Sequence, residues 1–250
     1  MNLKYAIVGT GAIGGYYGGR LANSGKDVHF LFNTEYVHVA AHGLQVDSVN
    51  GDFVINPINA YKSTADMPQC DVVLVGLKST QNHLLPQLLP PLLKSDTIII
   101  LVQNGLGLEQ QLAAALPGQP IAGAAAFICS SRVGKGHIRH ADYGAITIGE
   151  YQKCAPDVLA QIKADFDEAQ IPCTITQNLN EMRWRKLVWN IPYNGLTVAL
   201  NTSTDRLMAF AATRQLVTDL MNEVVDAAAV CGAPFEHEFV GKMLAMTDRM

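Results

Sequence analysis

Several classes of protein are made improbable by what this sequence has little of. Its five cysteines are odd in number and form no CxxC pair, which argues against a disulfide framework or a zinc site and for reduced thiols in a cytosol. No apolar run approaches the roughly 20 residues needed to span a bilayer. Charged residues make up only 16% of the chain and sum to a net charge of −4. Neither nucleic acid nor a membrane is therefore expected as a general partner.

A secretory leader is not expected either. The first stretch, MNLKYAIVGTGAIGG, begins with a lysine and apolar residues, but glycines at 9, 11, 14 and 15 interrupt the run at once, unlike a signal peptide. We therefore expect a cytoplasmic protein without a metal site. What the chain does have is 49% hydrophobic residues over 250 positions, enough for one or two domains with a sizeable core.

Strand and helix patterns alternate through the first part of the chain. The segments KYAIVG, DVHFLF, DVVLVGL and TIIILVQNG are apolar runs typical of strands, and the last two are continuous, as in parallel strands covered on both faces. Further strands are predicted in QPIAGAAAFICSS and GAITIGE, and an amphipathic helix in PDVLAQIKADFDEAQ. The alternation predicts an α/β fold with a doubly wound parallel sheet of Rossmann type.

Only helical patterns remain from about residue 180 onward. They occupy EMRWRKLVWNIPYNGLTVAL, AATRQLVTDLMNEVVDAAAVCG and the segment that begins HEFVGKM. We therefore predict two domains, a Rossmann-type domain over residues 1–176 and an all-helical domain over residues 177–250.

The segment GTGAIG matches the pattern GxGxxG between a predicted strand and a predicted helix. In that context Gly9 permits a tight turn, Gly11 lets a pyrophosphate approach the backbone, and Gly14 permits close packing of helix on strand. A glycine turn without a ligand is the alternative, which the context disfavours. The loop is predicted to hold a dinucleotide at the helix N-terminus through Gly9, Thr10, Gly11, Ala12, Ile13 and Gly14.

Three polar residues follow strands of the same predicted sheet. Asn33 leaves the second strand, where an acid would bind the ribose and a base would bind a 2′-phosphate; because asparagine supplies no charge, the phosphate state of the cofactor stays open. Lys78 and Asn104 follow later strands, at the edge where open parallel sheets bind ligands. A solvated lysine and an ordinary Asn-Gly turn are the alternatives, but their position on one edge favours a binding site.

A polar stripe runs along the helix predicted in RWRKLVWNIPYNGLTV, which is apolar enough to be buried. At about 100° per residue, Lys186 at 0° puts Asn190 at about 40° and Asn194 at about 80°. A solvated face is the alternative, but asparagine is a poor helix former. A lysine beside a nicotinamide can donate a proton to a carbonyl oxygen and stabilise the alkoxide, while asparagines hold substrate oxygens. The stripe therefore predicts a reductase of a small keto acid.

The chain resembles the ketopantoate reductases (2-dehydropantoate 2-reductases) along essentially its whole length. The matching stretches are GTGAIGG, LKSTQ, QNGLG, GKGHIRHADYGAITIGE and, most specifically, the pattern RKL-x-x-N-x-x-x-N in RWRKLVWNIPYNGLTVAL. The resemblance implies NADPH-dependent reduction of 2-dehydropantoate to pantoate, on the route to pantothenate and coenzyme A. The residue roles it implies are proton donor for Lys186, substrate binding for Asn190 and Asn194, contact with both substrate and cofactor for Asn104, and proximity to the cofactor for Lys78 and Cys129.

Three departures from the family pattern accompany the resemblance. Asn33 stands where the family usually has an arginine for the 2′-phosphate of NADPH, so NAD is an alternative cofactor. A family asparagine further along is replaced around Thr204, and the chain stops at MTDRM within a helical pattern, so the substrate domain is expected to be shortened. A homodimer is compatible with this domain.

Two alternative functions stay open at this point. One is reduction of a different 2-keto acid with NAD(P), and the other is a non-catalytic dinucleotide-binding protein. The presence of Lys186 together with Asn190 and Asn194 favours the enzyme, because a cofactor sensor has no need of a substrate stripe.

Overall fold

The structure is a computed structural model that describes residues 2–249. It divides into two compact units, with the division between Gln177 and Asn178. In the described residues the first unit contains ten strands, namely β1 (Lys4–Val8), β2 (Asp27–Leu31), β3 (Leu44–Ser48), β4 (Phe53–Ile55), β5 (Ala60–Tyr61), β6 (Cys70–Val75), β7 (Leu93–Leu101), β8 (Ile121–Gly134), β9 (His137–Gln152) and β10 (Cys173–Thr176).

The helices of the first unit lie between these strands. They are α1 (Ala12–Asn23), α2 (Tyr36–His42), α3 (Leu85–Leu88), α4 (Leu108–Ala115) and α5 (Pro156–Glu168), with short 3-10 helices at Thr64–Asp66, Ser79–Leu84 and Pro90–Leu92.

All ten strands form one mixed sheet. Its order is β4-β3-β9-β8-β7-β6-β1-β2-β5, and β10 also pairs with β9. Pairing is parallel from β8 through β7, β6, β1 and β2 to β5, which confirms the predicted Rossmann-type domain. The parallel expectation does not extend to β8 with β9 or to β3 with β4, which are antiparallel, because a short turn between consecutive strands can join only antiparallel neighbours.

The continuous apolar character of the central strands follows from burial on both faces. In β1, Tyr5 and Ile7 pack into one hydrophobic cluster, while Ala6 and Val8 pack into another. Since successive side chains of a strand point to opposite faces, the two clusters cover the two sides of the sheet. The last four residues of β1, β6 and β7 are therefore buried at the carboxyl end of each strand.

The second unit is helical throughout its described secondary structure, as predicted. Its helices are α6 (Leu179–Ala199), α7 (Thr204–Ala209), α8 (Ala211–Val230) and α9 (Glu238–Thr247). Val188 and Tyr193 of α6 share a core with Val217 and Met221 of α8. No helix in the described part of the chain is long and apolar enough to cross a membrane.

Packing holds α6 together despite the proline inside it. Pro192 lacks the N–H that would bond within the helix, yet the residue is buried and α6 runs on to Ala199. The expectation that this helix is buried is wrong at Ile191 and Val198, which are 45% and 81% exposed. On the helical wheel Ile191 lies about 160° from Tyr193, so it points away from the core that Tyr193 joins.

Candidate functional site

The three glycines of the loop between β1 and α1 have different surroundings. Gly9 has a φ of +96°, and a Cβ atom there would overlap the backbone nitrogen of Leu77. A Cβ on Gly14 would overlap the carbonyl oxygen of Gly9, whereas a Cβ on Gly11 would meet no protein atom within 4 Å. Gly9 and Gly14 are thus required by the packing of the protein itself, and Gly11 leaves open space for an approaching ligand.

The loop is fixed from both sides by hydrogen bonds. The Thr10 hydroxyl donates to the carbonyl oxygen of Leu31 at 2.9 Å, and the Ser130 hydroxyl donates to the carbonyl oxygen of Ala12 at 3.2 Å. Gly11 is the N-cap of α1, which has no side-chain cap and no acidic residue in its first turn. The end of the helix that carries exposed N–H groups and a partial positive charge therefore suits an anion; Ile13, in its first turn, packs against the core behind it.

Lys78 and Asn104 stand at equivalent places on neighbouring strands. Val8, Val75 and Leu101 are aligned across β1, β6 and β7, and Gly11, Lys78 and Asn104 each follow one of these residues by three positions. The structure thus brings both side chains to the same sheet edge as the glycine loop, and both are exposed there.

A residue that sequence reasoning missed ties these two loops together. Gln103 is buried, and its amide nitrogen donates to the carbonyl oxygen of Leu77 and to Oδ1 of Asn82, each at 2.7 Å. The residue before Lys78 and the residue before Asn104 are therefore linked directly. A glutamine between an apolar strand and an Asn-Gly turn gave no sign of this role, because its partners are 21 and 26 residues away.

After β2, Asn33 and Glu35, the acidic residue two positions later, have different surroundings. Asn33 is exposed, while Glu35 is buried and accepts from Arg132 Nη1 at 2.7 Å and from the Gly136 N–H at 3.1 Å. Glu35 is therefore turned toward the β8–β9 hairpin. Cys129 lies on the same hairpin, exposed and opposite Asp142 of β9, one residue from the Ser130 that bonds to α1.

In the second unit, Lys186, Asn190 and Asn194 follow one another along one side of α6. Lys186 and Asn190 are half-buried and Asn194 is exposed. Burial, and to a smaller extent the charge of Arg183 one turn earlier, lower the pKa of Lys186 to about 8. Thr204, around which the sequence predicts that a family asparagine is replaced, is the first residue of α7 and half-buried. The stripe thus contains a lysine that is a stronger acid than an ordinary lysine.

Both units of the chain match sequence models of one protein family. The sequence-family model described as "Ketopantoate reductase PanE/ApbA" matches residues 5–153, and the family model for the C-terminal part of ketopantoate reductases matches residues 178–250. The chain belongs to the ketopantoate reductase family. Members of this family are NAD(P)H-dependent oxidoreductases that act on small keto acids.

Relatives of this family match the chain along nearly all of its length. A protein of a Nostoc species named 2-dehydropantoate 2-reductase is 50% identical over 99% of this chain and 79% of its own length. The crystal structure of 2-dehydropantoate 2-reductase from Geobacter metallireducens is 39% identical, with a TM-score of 0.95 over 99% of this chain and 83% of that one. The corresponding structure from Methylococcus capsulatus is 32% identical, with a TM-score of 0.89 over 99% and 80%.

Proposed function

We propose that the protein reduces 2-dehydropantoate to pantoate with NADPH, with Lys186 as the proton donor. The choice of substrate is supported by the name of the Nostoc relative, which is 50% identical. The reaction belongs to a route toward pantothenate and coenzyme A in the cytoplasm. Burial raises the pKa of the Cys70, Cys154 and Cys173 thiols to about 12, and all five cysteines are free thiols, which suits a reducing compartment.

The residues at the carboxyl edge of the sheet fit a dinucleotide. The open space at Gly11 and the uncapped start of α1 suit a pyrophosphate, while Lys78 and Asn104 extend from the two neighbouring strands. Cys129 and Asn33 would lie along the cofactor. A bound reduced nicotinamide supplies the hydride that forms the new C–H bond at the keto carbon.

Lys186 completes the reaction with a proton. As the C–H bond forms, the π electrons of the carbonyl move to oxygen, and this oxygen takes a proton from Nζ of Lys186. With a pKa of about 8, the amine is mainly protonated at neutral pH and releases its proton more readily than an ordinary lysine. Asn190 and Asn194 are assigned to the carboxylate and hydroxyl oxygens of the substrate, which they can hold without competing for the proton.

The observation that carries the proposal is a lysine of lowered pKa on the same helix side as two asparagines. The test measures NADPH and NADH oxidation by the whole chain against a panel of 2-keto acids that includes 2-dehydropantoate. Highest kcat/KM for 2-dehydropantoate with NADPH is expected. Faster reduction of another acid would replace the substrate, and dinucleotide binding without turnover of any acid would identify a binding protein.

A further inference from the structure

Asn33 leaves the proposed NADPH site without a cation at its usual place. In Rossmann-type domains the residue after the second strand lies beside the adenosine ribose. An uncharged asparagine cannot form an ion pair with a 2′-phosphate. The structure nevertheless brings a guanidinium to this loop from elsewhere. Arg132 of β8 contacts Glu35, two residues beyond Asn33, with an Nη1–Oε1 distance of 2.7 Å.

The face of β8 that carries Arg132 also touches the glycine loop region. Ser130 and Arg132 are two residues apart in regular pairing with His140 and Ile138, so their side chains lie on one face of the strand. Ser130 bonds to Ala12 at the start of α1, and Arg132 bonds to Glu35 after β2. This face therefore lies along both the phosphate-binding turn and the ribose-binding loop.

We propose that Arg132 binds the 2′-phosphate of NADPH in place of the arginine missing at position 33, and that Glu35 positions its guanidinium. This inference rests on the proposed function. The contact with Glu35 uses Nη1, one of the two outer nitrogens of a group with five N–H donors, and 53% of the Arg132 side chain is exposed. A guanidinium held in this way can present further N–H groups to a phosphate.

Glu35 both orients the arginine and limits its effect. Its carboxylate is bound by Arg132 and by the Gly136 N–H, and the residue is only 8% exposed, so it is not directed at a ribose hydroxyl as in NAD-specific sites. Its negative charge offsets part of the attraction between Arg132 and a phosphate. We therefore expect a moderate preference for NADPH over NADH. Arg132 should increase this preference, and the negative charge of Glu35 should reduce it.

The test compares Arg132→Gln, Glu35→Gln and a matched control, Arg139→Gln. Arg139 is exposed and pairs with Ser131 on β9, which places it on the opposite face of the hairpin while the change in net charge is the same. Dissociation constants are measured for NADPH, NADH, 2′,5′-ADP and 5′-AMP on the full chain, with the thermal transition of each variant as a check of folding.

Arg132→Gln should weaken NADPH and 2′,5′-ADP by about tenfold and leave NADH and 5′-AMP nearly unchanged. Glu35→Gln keeps a side-chain oxygen that can accept from Arg132 but removes the negative charge, so it should tighten NADPH by about threefold or more. Arg139→Gln should change neither the ratio of the NADPH and NADH dissociation constants nor that of the 2′,5′-ADP and 5′-AMP dissociation constants. Equal effects of Arg132→Gln on both cofactors, or weaker NADH binding in Glu35→Gln, would overturn the inference. Tight 2′,5′-ADP binding by the wild-type chain that fails in Arg132→Gln would support it even if no keto acid were reduced, whereas binding of neither nucleotide would overturn both proposals.

Discussion

Two causes lower the pKa of Lys186, and they differ in size. Removal from water disfavours the charged amine and has the larger effect, and the charge of Arg183, one helical turn earlier, adds to it. Lys242 of α9, by contrast, is exposed. At the scale of single residues, acid strength is therefore a property of position on α6 rather than of the lysine itself.

The pH dependence of turnover follows from this pKa. In the proposed reduction the protonated amine of Lys186 is the donor, so kcat should fall as the pH rises through about 8. In the reverse direction, oxidation of pantoate with NADP⁺, the neutral amine accepts the proton, and the rate should rise through the same pH. Both profiles are measured by steady-state kinetics. An alkaline limit near the value of an ordinary lysine, about 10.4, would contradict the assignment.

Replacement of Lys186 should affect chemistry more than binding. Lys186→Ala is expected to lower kcat by about 10²–10⁴-fold, as for loss of a positioned proton donor, with little change in the dissociation constant of NADPH. Lys186→Gln should not restore turnover, because it keeps most of the packing but neither the charge nor the acid. Lys242→Gln is the matched control and should behave as wild type. A folded Lys186→Ala variant with most of its turnover would make the stripe structural.

Residue patterns could be predicted from the sequence only where they are local. Lys186, Asn190 and Asn194 share a helix side because their spacing requires it. That Asn194 is exposed while the other two are half-buried depends on which residues join the core. The pair of Glu35 and Arg132 had no local signal, because 97 residues separate the two. The catalytic and binding roles themselves stay predictions.

At the scale of elements, two glycines of the loop between β1 and α1 have different proposed roles, Gly14 in packing and Gly11 in cofactor binding. Gly14→Ala should gain about 1 kcal/mol of helix propensity, but the overlap of its Cβ with the Gly9 carbonyl oxygen should cost about 1–3 kcal/mol. The free energy of unfolding should therefore fall by up to about 2 kcal/mol. Gly11→Ala meets no protein atom, so its thermal transition should stay close to wild type while its affinity for NADPH falls strongly. Thermal unfolding and cofactor titration of both variants test this pair.

Unchanged NADPH binding by Gly11→Ala would contradict the role proposed for Gly11 and leave this glycine as part of a turn. If Gly11→Ala binds NADPH as wild type does, the open space at this glycine does not receive the cofactor. The chemical distinction between the two variants is small, one methyl group in each case, which makes each a control for the other.

Element order was more predictable than strand pairing. β1, β6 and β7 could be recognised because burial on both faces gives continuous apolar runs, and α5 and α8 because of their amphipathic pattern. The short strands β3, β4, β5 and β10 were not predicted. Their pairing depends on distant partners, as when Gln45 of β3 aligns with His137 of β9, and periodicity within a few residues carries no information about such partners.

At the scale of the whole molecule, the two kinds of predicted site residue belong to different units. The glycine loop, Asn33, Lys78, Asn104 and Cys129 all lie before the division at Gln177, as does Arg132, which the structure added, and the stripe of α6 lies after it. Each unit has its own buried core. The residues proposed to bind the dinucleotide therefore depend on a different core from the proposed proton donor.

This separation predicts that binding can be retained without catalysis. A fragment of residues 1–177 keeps both hydrophobic clusters of the sheet and every residue assigned to the cofactor, so it should fold and should prefer NADPH over NADH by the same ratio as the full chain. It should reduce no keto acid, because Lys186 is absent. Circular dichroism and thermal unfolding establish folding, and titration with both cofactors gives the ratio. The same fragment with Gly11→Ala is the control for binding at the loop. A folded fragment that binds neither cofactor would mean that the second unit supplies an indispensable part of the dinucleotide site, and the assignment of cofactor binding to the sheet edge alone would be wrong.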